Sequence, residues 1–160
     1  MTLRTVQPED FDRILEITIA AFTPIHESFR RMMGEALYEI NWVNWKQVHE
    51  DYLRTITEGE PAKQFLVGEI EGKIIGYAHY SCHEKEQKGE IGLNAIHPDY
   101  QGRGLSQAFY AEAERQLRAK GMKQIVVGTG GDPAHLPARK SYEKAGFKAL
   151  PHVTYFKTLE

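Results

Sequence analysis

Apolar residues recur at helical spacing along the first third of the chain. Spacings of three and four residues over 11–22 predict a helix that Pro24 ends. The same period continues through residues 25–58 and predicts two further helices, with a break near residues 41–44. Residues 3–6, with Leu3 and Val6 at their ends, precede them and are predicted to form a short strand.

Strand patterns begin near residue 65. Two apolar runs, at residues 65–70 and 74–80, flank the turn sequence Glu71-Gly72-Lys73 and predict a β-hairpin. Residues 89–96 are predicted to form the next strand. Because side chains alternate along a strand, we expect two different faces, one with Ile91, Leu93 and Ala95 and the other with Glu90, Asn94 and Ile96.

Helices and strands alternate in the second half of the chain. A loop at residues 101–104 leads into an amphipathic helix, and a short apolar strand follows at residues 125–127. A glycine- and proline-rich loop at residues 128–137 comes next, and a shorter helix is predicted over residues 138–145. Residues 152–158 alternate in polarity and predict a final strand.

Composition and charge narrow the classes of function. The 160 residues, 41% apolar and 26% charged, suit one core, so a single mixed α/β domain is predicted over residues 1–160. The formal net charge of −2 argues against a nucleic-acid-binding protein, which usually carries a basic excess. No run is apolar enough to cross a bilayer, and the early acids Glu9 and Asp10 do not fit a signal peptide. We therefore expect a cytoplasmic protein with no membrane or nucleic-acid partner.

Cysteine and histidine positions do not predict a metal centre. The single cysteine, Cys82, cannot form an internal disulfide. His79 and His83 lie four residues apart on one face of a predicted strand, but no Cys/His spacing supplies a third ligand. No bound metal is therefore expected.

A two-glycine turn between a strand and a helix carries the clearest chemical signal. It lies within residues 96–106, where Gly102 and Gly104 let the backbone turn tightly and approach a ligand closely. The first N–H groups of the next helix have no partners within it and lie at the positive end of its dipole. They predict a phosphate or pyrophosphate site, to which Arg103 adds charge. A purely structural turn is the alternative that these residues alone leave open.

Two blocks of sequence resemble one enzyme family. Gln101-Gly102-Arg103-Gly104-Leu105-Ser106 is similar to the Gln/Arg-x-x-Gly-x-Gly/Ala signature of GNAT N-acetyltransferases. Residues 138–147 resemble the family's second hallmark, Ala-x-x-x-Tyr-x-x-x-Gly-Phe, in the expected order and spacing. The resemblance implies the GNAT fold, an α/β domain whose mostly antiparallel sheet has a parallel strand pair splayed at the acetyl-CoA site and is flanked by helices. Ser106 and His135 depart from the family's usual glycine or alanine and asparagine.

The resemblance implies an acetyl-CoA-dependent N-acetyltransferase in which a primary amine attacks the thioester directly. Backbone N–H groups of the turn would hold the CoA pyrophosphate, and the preceding strand would pair with the pantetheine arm, which His135 would also contact. The residues implied in acetyl-CoA binding are Asn94, Ala95, Ile96, Gln101, Gly102, Arg103, Gly104, Leu105, Ser106 and His135.

Three catalytic roles follow from the same resemblance. The N–H group at or next to Asn94 would stabilise the oxyanion that develops on the thioester oxygen. Glu90 would accept the proton of the amine, or a water chain would do so alone. Tyr142 would give a proton or a hydrogen bond to the leaving CoA thiolate. The alternatives are an ordinary strand-edge carboxylate at Glu90 and a core-packing tyrosine at Tyr142.

The sequence defines the acceptor less well than it defines acetyl-CoA. The segment after the first helix carries an aromatic cluster, which either shapes the acceptor pocket, as the resemblance implies, or packs on the sheet; its members are Phe29, Tyr38, Trp42 and Trp45. A small-molecule amine is favoured over a protein amine, and the sequence does not distinguish a monomer from a homodimer. A non-catalytic acyl-CoA-binding sensor and an interaction module with a structural glycine turn are the competing hypotheses.

Overall fold

A mixed β-sheet forms the centre of the computed structural model, which describes residues 1–62 and 64–159. Its strands lie in the order β1-β2-β3-β4-β5, antiparallel from β1 to β4 and parallel between β4 and β5. This arrangement confirms the predicted mostly antiparallel sheet with one parallel pair. The strands are β1 (Thr2–Thr5), β2 (Phe65–Ile70), β3 (Lys73–His83), β4 (Lys88–Ile96) and β5 (Gln124–Val127).

Helices cover both faces of the sheet. The α-helices are α1 (Phe11–Trp42), α2 (Trp45–Thr57), α3 (Gly59–Ala62), α4 (Ser106–Ala119) and α5 (Leu136–Lys144). Short 3-10 helices lie at Pro8–Asp10, Pro98–Tyr100 and Pro133–His135. None of the helices in the described ranges combines the length and the apolar character needed to cross a membrane.

Two hydrophobic clusters fix these layers, one on each side of the sheet. The cluster under α1 and α2 contains Val6, Ile14, Ile17, Leu53, Ile56, Phe65, Val67, Ile74, Tyr77 and Ala95. The cluster under α4 and α5 contains Leu66, Ala78, Tyr80, Ile91, Phe109, Tyr110, Ala113, Leu117 and Tyr142. Burial of apolar area on both faces is the main force that holds the helices to the sheet.

The first helix is longer than the sequence predicts. The expectation that Pro24 ends it is wrong, since α1 continues through Pro24 and leaves the helical conformation at Gly34, where φ is 77°. A proline in a helix interior costs about 3 kcal/mol. The predicted break near residues 41–44 is confirmed by the boundary between α1 and α2.

The predicted final strand over residues 152–158 is also wrong. Residues 147–159 form neither strand nor helix, and no strand of the described sheet pairs with them. Phe156 packs against Trp42 of α1, with ring centroids 5.3 Å apart, whereas Leu150 and Tyr155 are almost fully exposed. Alternating polarity predicts a strand only where a neighbouring backbone is available to form the ladder.

A buried carboxylate anchors the N-terminal strand. Asp10 accepts hydrogen bonds from both terminal nitrogens of Arg4, at 2.6 and 2.9 Å, and from the N–H of Gln7 at 2.7 Å. The same guanidinium donates to Glu69 of β2. Burial of the Asp10 carboxyl opposes its ionisation, but the bonds from Arg4 and Gln7 outweigh this and hold its pKa below the ordinary value.

Asp10→Asn should therefore destabilise the protein in a pH-dependent way. The lowered pKa means that the ionised carboxylate stabilises the fold at neutral pH, and that this stability is lost as the pH falls below about 4. We expect the variant to lose about 1.5–3 kcal/mol of unfolding free energy at pH 7 and much less at pH 3, measured by urea denaturation. Asp12→Asn, an exposed position two residues later, is the control. An equal loss at both pH values would contradict the prediction.

Candidate active site

An extra residue in β4 sets the geometry of the candidate site. Ala78 of β3 pairs with Asn94, and Tyr80 pairs with Ile91, so two steps along β3 correspond to three along β4. This is a β-bulge, and beyond it each side chain of β4 lies on the face opposite to the one simple alternation predicts. Asn94 therefore shares a face with Ile91.

The bulge overturns one sequence prediction. Simple alternation predicts Glu90 and Asn94 on the same face of the strand, but they lie on opposite faces. Glu90 pairs with Ser81 and lies on the face covered by α1 and α2, where its Oε2 is 3.4 Å from Nε2 of His83. Alternation fails here because the strand contains one residue more than its partner between these two positions.

Asn94 and Tyr142 meet on the other face, under α4 and α5. The Asn94 carboxamide Nδ2 donates to the Tyr142 hydroxyl at 3.1 Å and to the Gly92 carbonyl at 3.0 Å, within the bulge. The Tyr110 hydroxyl donates to Asn94 Oδ1 at 3.4 Å. Burial raises the pKa of Tyr142, and the neighbouring Tyr110 raises it further, so the phenol stays protonated at neutral pH.

The edge of β4 next to Asn94 has no strand beside it. Pairing with β5 ends at Ile91 and Val127, so within the described sheet nothing pairs with residues 92–96 on that side. The N–H of His97 donates to the Ile75 carbonyl of β3 at 2.8 Å. Because N–H groups alternate between the two edges of a strand, those of Asn94 and Ile96 point to the open edge. The parallel pair β4 and β5 therefore separates after Ile91, next to Asn94, as the family resemblance predicts.

Five consecutive backbone N–H groups lie at the strand-to-helix corner. Among the described residues, none accepts a hydrogen bond from the N–H of Gly102, Arg103, Gly104, Leu105 or Ser106. Gly102 and Gly104 have φ values of 73° and 72°, in the region that favours glycine. Together with the positive end of the α4 dipole, these donors form a site for an anion.

Polar side chains join this corner to the helix that carries Tyr142. Ser106 Oγ lies 2.7 Å from Oγ of Ser141, and Gln107 Nε2 donates to the Ser141 carbonyl at 2.9 Å. A Cβ on Gly104 would lie 3.8 Å from the ammonium nitrogen of Lys144. Sequence reasoning missed Lys144, and its place two residues after Tyr142 gave no signal because the contact depends on how α5 packs against α4.

The remaining predicted binding residues surround the open edge and the loop before α5. Gln101 Nε2 donates to the Ile96 carbonyl at 2.8 Å, and the Arg103 guanidinium donates to the Asp99 carbonyl at 2.7 Å. His135 contacts the buried carboxylate of Asp132 through Nδ1, and its ring lies 5.9 Å from that of Phe29. The loop at residues 128–137 is thereby held against α1.

The aromatic cluster after the first helix is assembled around a histidine that sequence reasoning missed. His26 stacks on Trp45, with centroids 4.2 Å apart and planes 8° from parallel. Burial, with smaller effects of His49 and His135, lowers the pKa of His26 to about 4. A cavity of about 220 Å³ lies beside this stack, and its walls are Thr23, His26, Glu27, Arg30, Tyr38, Trp45 and Lys46.

Comparison with known proteins decides the family. Residues 34–147, more than half of the chain, match the model of the Acetyltransferase (GNAT) family. The chain belongs to the GNAT acetyltransferase family. This membership confirms the family and fold class predicted from the two sequence blocks.

Sequence relatives of this GNAT chain extend beyond it. A mycothiol acetyltransferase from Saccharomonospora viridis is 31% identical over 93 residues, which are 54% of this chain and 30% of that protein. An uncharacterised N-acetyltransferase from Methanocaldococcus jannaschii, MJ1207, is 23% identical over 92% of this chain and 60% of its own length. The chain thus spans 30% of the length of the first relative and 60% of the length of the second.

Solved GNAT structures share the architecture. A GNAT family acetyltransferase from Brucella melitensis, in complex with acetyl-CoA, is 26% identical, with a TM-score of 0.59 over 92% of this chain and 82% of that one. The PaiA N-acetyltransferase from Thermoplasma acidophilum, in complex with coenzyme A, has a TM-score of 0.67 at 17% identity, over 89% and 87% of the two chains. At that identity the second likeness shows the fold alone.

Proposed function

We propose that this GNAT domain transfers the acetyl group of acetyl-CoA to a primary amine, preferably that of a small molecule. The N–H groups of residues 102–106, which have no partner within the described chain, carry the proposal, because such groups at a helix N-terminus bind phosphates and these lie at the end of an open strand edge. That edge leads along β4 to Asn94 and Tyr142.

The corner and the open edge match the two parts of acetyl-CoA. The pyrophosphate is expected to accept hydrogen bonds from the N–H groups of residues 102–106, with added charge from Arg103 and Lys144. The amide-containing pantetheine arm is expected to pair with Asn94 and Ile96, as a neighbouring strand would. Gln101 and His135 complete the proposed binding set, Gln101 at the Ile96 carbonyl and His135 on the loop before α5.

The acceptor is expected to approach from the α1 and α2 side of β4. An alkylammonium with a pKa near 10.4 is a free amine only about once in 2,500 molecules at pH 7, so a proton acceptor is needed. Glu90 is on this side with its carboxylate half-exposed, and it takes the proton directly or through water. The Asn94 N–H at the open edge faces the thioester oxygen and stabilises the oxyanion.

The leaving thiolate is expected on the opposite side, next to Tyr142. A phenol with a raised pKa is a weaker acid than the thiol, so complete proton transfer to a free thiolate is unfavourable. Tyr142 therefore donates a hydrogen bond that strengthens as negative charge develops on sulfur, and transfers its proton only as the tetrahedral intermediate collapses.

The cavity beside His26 and Trp45 is the part of the acceptor side that we propose contacts the rest of the acceptor molecule. Its aromatic walls and its charged rim of Glu27, Arg30 and Lys46 suit an acceptor that carries polar groups besides its amine. The relatives named mycothiol acetyltransferases also favour a small-molecule acceptor.

A single domain over residues 1–160 and a cytoplasmic location stay predictions, as does the absence of nucleic-acid and membrane partners.

Two measurements test the proposed function together. Calorimetry should show acetyl-CoA binding to the wild-type protein, and free thiol should accumulate when a panel of primary amines is added. Binding without thiol release from any amine would identify an acyl-CoA sensor instead of an enzyme. If acetyl-CoA did not bind at all, the site at residues 102–106 would be a structural turn.

A further inference from the structure

A buried histidine adjoins the bulge on the acceptor side of β4. A Cβ placed on Gly92 would lie 3.3 Å from Nδ1 of His79 and 3.8 Å from the hydroxyl oxygen of Tyr52. Gly92 is also the first residue of β4 after pairing with β5 ends. The missing side chain therefore leaves the His79 ring and the Tyr52 hydroxyl next to the backbone at the splay.

The surroundings of His79 favour the neutral imidazole. The residue is only 7% exposed, and its ring lies against Phe65 of β2 at a centroid distance of 6.0 Å. Burial lowers the pKa of His79, and Glu90 of β4 opposes this with its negative charge. Tyr52 of α2 adds a hydroxyl group. A neutral imidazole beside a carboxylate accepts a proton and is then stabilised as the cation.

We propose that His79 is a second proton acceptor for the amine, in a site with Glu90 and Tyr52 that takes a cationic primary amine. The proposal rests on the acetyltransferase function proposed above. The role of His79 is separate from that of Glu90, because His79 lies on β3 and its ring is next to the bulge, whereas Glu90 lies on β4.

Two N–H protons must leave the nitrogen during the reaction, so the nitrogen side offers work for two proton acceptors. An alkylammonium and acetyl-CoA yield an amide, free thiol and one released proton. One N–H proton leaves before attack, which frees the lone pair that forms the C–N bond. A second leaves the positively charged nitrogen of the tetrahedral intermediate, before or as the C–S bond breaks and the sulfur takes a proton. Glu90 or water accepts the first proton and passes it to solvent, which is the one proton released overall. His79 accepts the second and also returns it to solvent, which balances the proton that solvent restores to Tyr142 after the sulfur has taken one.

The ratio of wild-type to His79→Gln turnover should depend on pH. A protonated imidazole accepts no proton, so the advantage of the wild type is expected at pH 8 and should disappear as the pH falls through the lowered pKa of His79. We expect the kcat/KM ratio, at saturating acetyl-CoA, to be at least about tenfold at pH 8 and to decrease towards one as the pH is lowered below the ordinary range of histidine. Taking a ratio at each pH removes the ionisation of the amine itself.

His83→Gln is the matched control. It removes the same residue type from the same face of β3, four positions on, where the side chain is 41% exposed and also lies near Glu90. We expect less than about a threefold change in kcat/KM at every pH. A constant ratio for His79→Gln across the pH range would assign His79 a structural role and overturn the proposal. So would equal effects of the two substitutions.

An NMR titration of the wild-type protein tests amine binding without turnover. With CoA bound at pH 8, benzylamine, propylamine and putrescine are added in turn, and the imidazole Cε1 proton resonances are followed. The His79 signal, assigned by its loss in His79→Gln, should shift with at least one amine, whereas exposed His152 should not. No shift of His79 with any amine would overturn the proposed site. Absence of thiol release by the wild type would instead count against the acetyltransferase function.

Discussion

Gly104→Val should abolish acetyl-CoA binding while the protein remains folded. Gly104 has a φ of 72°, a conformation that β-branched residues rarely adopt, so the corner would have to shift at a cost of about 1–3 kcal/mol. The isopropyl group would also project where a phosphate approaches the N–H groups. Losing about two charged hydrogen bonds, at about 1.5–3 kcal/mol each, weakens binding at least 100-fold.

Gly121→Val separates this local effect from loss of stability. Gly121 follows the other end of α4 and has a φ of 77°, and no described atom outside its immediate neighbours lies within 4 Å of where a Cβ would stand. The substitution therefore carries the same backbone cost far from the corner. Both variants are to be compared by calorimetry with acetyl-CoA and by thermal unfolding. We expect similar decreases in melting temperature but loss of binding only in Gly104→Val. Normal binding by Gly104→Val would remove residues 102–106 as the pyrophosphate site.

Tyr142→Phe should lower kcat by at least about tenfold and leave acetyl-CoA affinity within about threefold of the wild type. The hydroxyl contacts Asn94 at 3.1 Å, and in the proposed reaction it contacts the sulfur only as charge develops there. An interaction made in the transition state affects kcat, whereas one made equally in the bound state affects KM.

Tyr80→Phe is the control for the loss of a buried hydroxyl. Tyr80 belongs to the same hydrophobic cluster as Tyr142 and is also buried, and it pairs with Ile91 on the side of the bulge away from Asn94. Steady-state kinetics with acetyl-CoA and one amine substrate should show little change in kcat for this variant. If both substitutions reduced kcat equally, packing and not hydrogen bonding would explain the effect of Tyr142.

Local patterns predicted most of the fold and the two-glycine turn before α4. The hairpin at β2 and β3 and the helix after the glycine turn depend on neighbours within a few residues, and both lie where the sequence indicates. The second family block put Tyr142 on the short helix before Gly146, which is α5 in the structure, because that position depends only on local spacing. The turn was predictable because glycine readily adopts positive φ, and both Gly102 and Gly104 do so in the structure.

Features that depend on distant partners were not predictable. The bulge in β4 is visible only once its register with β3 is known, so the predicted face of Glu90 relative to Asn94 is wrong. Pro24 is compatible with α1 because residues after it are buried by other elements. Lys144 and His26 acquire their surroundings from the packing of α5 against α4 and of α2 against α1. Local sequence contains none of this information.

The bulge in β4 also separates the two halves of the proposed chemistry. Glu90 and His79 lie on one side of the sheet, and Tyr142 and Asn94 lie on the other. The proton lost by nitrogen and the proton gained by sulfur therefore travel through different groups of residues. Substitutions on α1 and α2 are free to change which amine is accepted without disturbing thioester cleavage, so one additional residue in a strand allows the acceptor to diverge while the donor stays the same.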